Sequence, residues 1–256
     1  MSQWFVIGAG YTGNRLIERL RAEGERVTAT RRHGGEGTLA LDLSRPETVR
    51  YPPDAIVVCL APPGPDPAGE VSRLAGARRL VYVSSTGVYA PGNGAWVDET
   101  WPCEPVTSSG RARVLAEAAL PPAAIALRVA GIHGPGRGLV DRIRAGKYRI
   151  VGDGRAHVSR IHVDDLVEAI IRAGRSSVAG PVNVADDDPA PIGEVADAIA
   201  SQLGVAAPER LDPSMVDPEI AGMLAADRRI DNGRMKRDLN VVLRYPSWRD
   251  ALAARV

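Results

Sequence analysis

The stretch Trp4-Phe5-Val6-Ile7-Gly8-Ala9-Gly10-Tyr11-Thr12-Gly13 constrains this chain more than any other part of it. Four apolar residues closed by a glycine have the character of a strand covered on both faces. Helical spacing follows at once, with Leu16, Ile17 and Leu20 on one side, charges between them and Gly24 as the stop. Gly8 to Gly13 form a GxGxxG, and its position between the first strand and the first helix is where a phosphate cradle needs it. Gly8 permits the tight turn, Gly10 lets the backbone approach a pyrophosphate, and Gly13 lets the helix pack close to the strand. Tyr11 and Thr12 stand where the helix N-terminus offers unpaired N–H groups and the positive end of its dipole to an anion.

The pattern continues as strands alternating with helices. Arg26–Thr30, Leu39–Leu43, Ala55–Leu60, Leu80–Ser84 and Ala124–Val129 read as further strands, with helices at Glu70–Ala77 and Arg111–Leu120. This rhythm predicts a parallel sheet wrapped by helices. It places residues 1–136 in a dinucleotide-binding core and residues 137–256 in a smaller C-terminal lobe, with 156–185 returning to the core sheet. In the second half, helices are expected at Leu139–Ala145, Asp164–Ala173 and Trp248–Val256, and strands at Lys147–Val151 and Pro181–Ala185.

Composition narrows the function classes. A chain of 256 residues can bury a large core without disulfides or a structural metal. The formal net charge of +1 and the 4% aromatic content argue against a nucleic-acid partner. Cys59 and Cys103 form no ligand cluster, so no metal site and a reducing compartment are expected. Neither a secretory leader nor a run of about 18 apolar residues is found, and a cytoplasmic protein with no membrane partner is the expectation.

The end of the second strand decides which dinucleotide fits. A carboxylate there would bond the ribose 2′-hydroxyl of NAD, but Thr30 is followed by Arg31 and Arg32. Arginines suit a 2′-phosphate, so NADP is expected, with NAD as the second choice. Asp42 serves either the adenine amino group or a local turn. Leu60 and Ala61, after the fourth strand, are expected to line the same cleft.

With these features in place, the sequence resembles the short-chain dehydrogenase/reductase superfamily, as an atypical short member of its NAD-dependent epimerase/dehydratase branch. The resemblance rests on an ordered set: Gly8 to Gly13, Tyr82 to Tyr89 (YVSSTGVY), Leu127-Arg128 with Gly131 to Gly136, Ile161 to Leu166 (IHVDDL), Val182 to Asp186, and Asp231-Asn232. It implies a Rossmann-type doubly wound α/β fold with a small C-terminal substrate lobe, a small-molecule substrate between the two, and a homodimer as a common assembly.

The resemblance also implies a catalytic set and exposes a departure from it. Ser85 matches the family's hydroxyl that bonds substrate. Aligned on the family's YxxxK motif, the Tyr position is Ser109 and the Lys position is Arg113. A phenol titrates near 10 and can be lowered by a neighbouring ammonium, whereas a serine hydroxyl cannot be tuned in that way. Arg113 lies on the helical face of Ser109 and can hold cofactor hydroxyls, but guanidinium keeps its proton. The lost acid–base contribution is worth about 10²–10⁴ in rate. Tyr89 and His133 are the candidate substitutes, His133 standing where the family usually has Tyr before Gly-Pro-Gly. For each, the alternative is a packed wall or a turn. His162 reads as structural or pocket-lining, Asp164 as a helix cap, and Asp98-Glu99 as a loop either over the site or in solvent.

Two readings of function follow. One is an NADP(H)-binding oxidoreductase or epimerase-like enzyme acting on a carbonyl, alcohol or sugar-nucleotide-like substrate. The other is a dinucleotide-binding sensor or scaffold with little turnover, which the replaced pair favours.

Overall fold

A computed structural model describes residues 2–253. Seven strands form one sheet: β1 (Gln3–Ile7), β2 (Arg26–Arg31), β3 (Leu39–Ala40), β4 (Ile56–Cys59), β5 (Arg79–Ser85), β6 (Ile125–Val129) and β7 (Gly180–Val184). Every neighbouring pair is parallel, and the spatial order is 7-6-5-4-1-2-3. The chain therefore reverses direction across the sheet between β1 and β4, and a Rossmann-type sheet opens its ligand crevice there, at the strands' carboxyl ends.

The apolar run of β1 is explained by its two covered faces. Trp4 and Val6 enter a core shared with α1 (Tyr11–Ala22) and α5 (Val163–Arg175). Phe5 and Ile7 enter a second core with Val71 of α2 (Pro67–Ser72) and Ala116 of α3 (Ser108–Ala118). A third core belongs to the C-terminal lobe, where α4 (Leu139–Arg144) packs on α6 (Ile192–Leu203) with Tyr148, Ile150, Trp248 and Leu252. The second half of the chain is interleaved. The edge strand β7, the helix α5 and the residues Met235, Leu239 and Val241 all pack with the main sheet. Among the described residues no helix is long and apolar enough to cross a membrane.

Several boundaries differ from expectation for identifiable reasons. Helix α2 begins three residues earlier than predicted, because Asp66 caps it by accepting from the Gly69 amide and Pro67 opens it. Helix α3 also starts early, with the Thr107 hydroxyl accepting from the Gly110 amide. Strand β3 is only two residues long, although Leu41 and Leu43 beyond it stay buried. The predicted cap of α5 is corrected: the His162 ring, not Asp164, accepts from the Asp164 amide. The last three residues of the expected C-terminal helix lie outside the described residues; the described part is Trp248–Ala253.

Gly174 shows how closely α5 is seated. A Cβ there would stand 2.4 Å from Trp4 Cη2, and the Trp4 ring is fully buried and cannot move aside. Alanine gains about 1 kcal/mol in helix propensity, whereas overpacking a filled core costs about 1–3 kcal/mol. Gly174→Ala should therefore lower stability, read as a reduced urea midpoint with an unchanged m-value; a midpoint equal to or above wild type would contradict this seating.

Candidate functional site

The phosphate loop is clamped from both sides. The Gly8 and Ala9 amides both donate to the Thr30 carbonyl at the end of β2, at 3.2 and 2.9 Å. On the other side, a Cβ on Gly8, whose φ is +100°, would stand 3.2 Å from the Ala61 nitrogen beyond β4. Gly13 is tighter still, since a Cβ there would be 2.2 Å from the Gly8 carbonyl oxygen. Gly10 is the opposite case: a Cβ would meet nothing within 4 Å, so its backbone borders open space. Gly10 caps α1 with no side-chain hydrogen bond. This cradle fits a pyrophosphate, with backbone donors at a helix start and no side chain in the way.

A cleft of about 720 Å³ extends from the cradle. Gly8, Gly10, Tyr11, Arg31, Arg32, Asp42, Leu60 and Ala61 all line it. Thr12 and Gly13 do not; they lie behind it, buried where the helix meets the sheet. Asp42 is engaged in a local turn, accepting from both the Ser44 amide and the Ser44 hydroxyl, and these bonds hold its carboxyl below the usual carboxylate range. Its 3.9 Å contact with Arg32 is exposed and weak. Sequence reading missed Glu70, which lines the cleft and is buried, its Oε2 accepting from the Gly64 amide at 2.8 Å. The signal was the position of a glutamate in the first turn of a proline-opened helix.

The segment 131–138 walls a second cavity and is tied to the phosphate loop. The Tyr11 hydroxyl and Arg15 both donate to the Pro135 carbonyl, at 3.1 and 3.2 Å, tying the segment to the phosphate loop. His133, Arg137 and Gly138 line a cavity of about 400 Å³ in the C-terminal lobe. The His133 ring stands edge-on to that of His162, with centroids 5.4 Å apart, and His162 packs on Tyr245 at 3.9 Å.

The remaining candidates gather at the carboxyl end of β5. The Ser85 hydroxyl accepts from the Gly87 amide at 3.0 Å, which leaves its own O–H to donate elsewhere. Arg113 donates to the Val83 carbonyl at 2.8 Å. Ser109 is exposed near the start of α3, 3.4 Å from the Thr107 hydroxyl. Ser85, Ser109 and Arg113 line neither cavity.

Tyr89, a candidate proton donor, stands inside the fold. It is fully buried, and its hydroxyl donates to Asn183 Oδ1 at 2.7 Å. Burial pushes the phenol up to about 12, although the Arg128 guanidinium, 4.8 Å from its ring centroid, works against the shift. Tyr89 belongs to a polar layer in which Ser84, Arg128 and Asn183 stand in register across β5, β6 and β7. Glu117 accepts from Ser84 and pairs with Arg128 at 2.8 Å. Burial works to lower the Arg128 guanidinium, but the hydrogen bonds and charge of Glu117 outweigh it and raise it. The Asp98-Glu99 loop is divided between two tasks. Asp98 accepts from the Thr100 hydroxyl and amide, while Glu99 accepts from the Asn183 amide at 2.8 Å.

Comparison with known proteins gives a consistent picture. Residues 65–185 match the model of the NAD dependent epimerase/dehydratase family. A 3-diazoavenalumate denitrifying reductase from a Streptomyces species is 31% identical, with 96% of this chain and 98% of that protein covered. A conserved protein of unknown function from Silicibacter pomeroyi superposes with a TM-score of 0.85 at 28% identity, over 99% of this chain and 98% of that one. The human epimerase family protein SDR39U1, solved with NADPH, superposes with a TM-score of 0.84 at 21% identity, over 98% of each chain.

If Tyr89 serves the fold, Tyr89→Phe leaves Asn183 Oδ1 short of a donor and should cost about 1–3 kcal/mol of stability. The pH profile of any turnover should stay unchanged, and a displaced profile in a folded Tyr89→Phe protein would return Tyr89 to the chemistry.

Proposed function

The chain belongs to the NAD-dependent epimerase/dehydratase family, and from that premise we propose that it is an NADP(H)-dependent reductase of a small molecule held in the lobe cavity. The observation that carries this reading is the clamped glycine loop, with open space at Gly10 and Arg31 and Arg32 on the same cleft. The reductase among its relatives supports turnover rather than a purely sensing role.

The Gly8–Gly13 backbone would hold the pyrophosphate, and Arg31 and Arg32 the 2′-phosphate. Bound nicotinamide supplies a hydride donor or acceptor. The Ser85 hydroxyl accepts a backbone N–H and keeps its own proton to donate, but it lines neither cavity, so no contact with a substrate in the lobe is assigned to it. Arg113 contributes fixed positive charge at the carboxyl end of β5 and relays no proton. His133 lines the lobe cavity two residues before Pro135, which is tied to the phosphate loop, and imidazole is the side chain suited to giving or taking a proton near neutrality. Ser109 has no part in the transfer, being exposed and too weak an acid.

Three outcomes are expected. Gly10→Val puts a side chain where the pyrophosphate must lie, and calorimetry should show NADPH affinity lost in a folded protein; unchanged affinity removes the phosphate-loop assignment. One charge-assisted bond to the 2′-phosphate favours NADPH over NADH by roughly 10- to 150-fold. That preference should fall in Arg31→Ala, and equal affinities in the unaltered protein would refute it. With a substrate found by NADPH absorbance, His133→Gln should lose about 10²–10⁴ in kcat while Ser109→Ala stays near wild type. The reverse result would make Ser109 the proton donor, and tight NADPH binding with no substrate turned over would favour the sensing role.

A further inference from the structure

The lobe cavity has an unusual lining. Its apolar walls include Ile192, Val195, Ile199, Trp248 and Leu252. Its basic groups are His133, Arg137, Arg142 and Arg160. Among the described residues, no Asp, Glu, Asn, Gln, Ser or Thr lines it. A sugar nucleotide brings many hydroxyls, each needing a donor or an acceptor when buried, and among the side chains lining the cavity only the Tyr148 hydroxyl and a neutral His133 ring accept. Apolar walls carrying arginines, with no carboxylate among the lining side chains, suit an amphipathic anion.

Arg160 sets the character of the cavity. It is only 6% exposed, and its Nη1 donates to the Val158 carbonyl at 2.8 Å. Its Nη2 has no hydrogen-bond partner among the described residues. A buried guanidinium with an unused donor is costly unless an anion completes it. The carboxylate that acts most strongly on it is Asp186, itself 1% exposed, with Oδ2 likewise unpartnered. Burial pushes the Asp186 carboxyl up, against the pull of Arg160, and neither its Oδ2 nor the Arg160 Nη2 reaches a hydrogen-bond partner among the described residues. Arg137 and Arg142 are exposed, and their guanidinium groups lie near the rings of Tyr11 and Tyr148, giving the rim the same sign of charge as the interior.

We propose that the lobe cavity takes a small carboxylic acid with an aromatic or branched apolar body, the carboxylate drawn to Arg160 and the body lying against the Ile192, Val195, Ile199 and Trp248 wall. This rests on the reading of the cavity as the substrate compartment, and it replaces the expectation of a sugar-nucleotide-like substrate with a different chemical class. A singly charged planar anion matches one guanidinium edge.

The test is calorimetry on the full chain with three acids, benzoate, 3-phenylpropionate and 4-methylpentanoate, their neutral amides, and UDP-glucose. NADPH affinity is measured on the same samples. At least one acid should bind more tightly than its amide by roughly tenfold or more, the effect of one charge-assisted hydrogen bond. Arg160→Met should bring acid and amide to parity, and Arg160→Lys should keep much of the preference; thermal melting checks that both variants fold. Equal affinity for acid and amide in the unaltered protein, tighter binding of UDP-glucose, or no binding by any acid at millimolar concentration would each overturn the proposal. So would an acid preference that survives Arg160→Met. Should NADPH fail to bind while the acids still discriminate, the reductase reading falls and the selectivity of the cavity stands.

Discussion

The contact between Gly13 and the Gly8 carbonyl fixes the geometry of the whole carboxyl edge. No side chain of any kind fits between them, so α1 sits as close to β1 as backbone allows. With the helix there, the two amides of the loop reach Thr30 on one flank, and the turn of Gly8 abuts Leu60 and Ala61 on the other. Three strand ends are thereby held around a single turn. The cleft, the arginines after β2 and the tie from Tyr11 to Pro135 all depend on that spacing.

A second constraint acts one strand further along. Ser84, Arg128 and Asn183 are polar residues placed in register inside a sheet that is otherwise apolar, and each must be satisfied by a partner from outside the sheet. Glu117 comes from α3, Tyr89 from the turn after β5, and Glu99 from the loop beyond it. Desolvation alone would make this layer unfavourable, and its mutual hydrogen bonds offset that cost. The result is a rigid platform beneath the loops, carrying side chains that sequence comparison alone would assign to chemistry.

The sequence was most legible where one local pattern sufficed. The glycine loop and the alternation of strands and helices need only near neighbours to be understood. Legibility failed where a partner is distant in the chain. Tyr89 reads as either a proton donor or a packed wall until Asn183, 94 residues later, is brought to it. Arg160 carried no signal at all, because its unpartnered Nη2 and the apolar walls around it are brought together from segments distant in the chain. The short β3 was over-read, since Leu41 and Leu43 are buried by loop packing rather than by strand pairing. Ordered polar positions near the ends of neighbouring strands, such as Ser84, Arg128 and Asn183, were the available clue to the buried layer.

Helix α3 carries Ser109, Arg113 and Glu117 at intervals of four, which places them in one stripe. The latter two are pinned to consecutive residues of β5, Arg113 to the Val83 carbonyl and Glu117 to the Ser84 hydroxyl. A helix fastened at two points along a known rise is a ruler. Position 109 is therefore delivered to one place, about 6 Å before Arg113 along the axis, whichever side chain it bears. The fold does not depend on that residue, so the chemistry offered there can be exchanged like a tool in a fixed socket, with the scaffold unaware of the change.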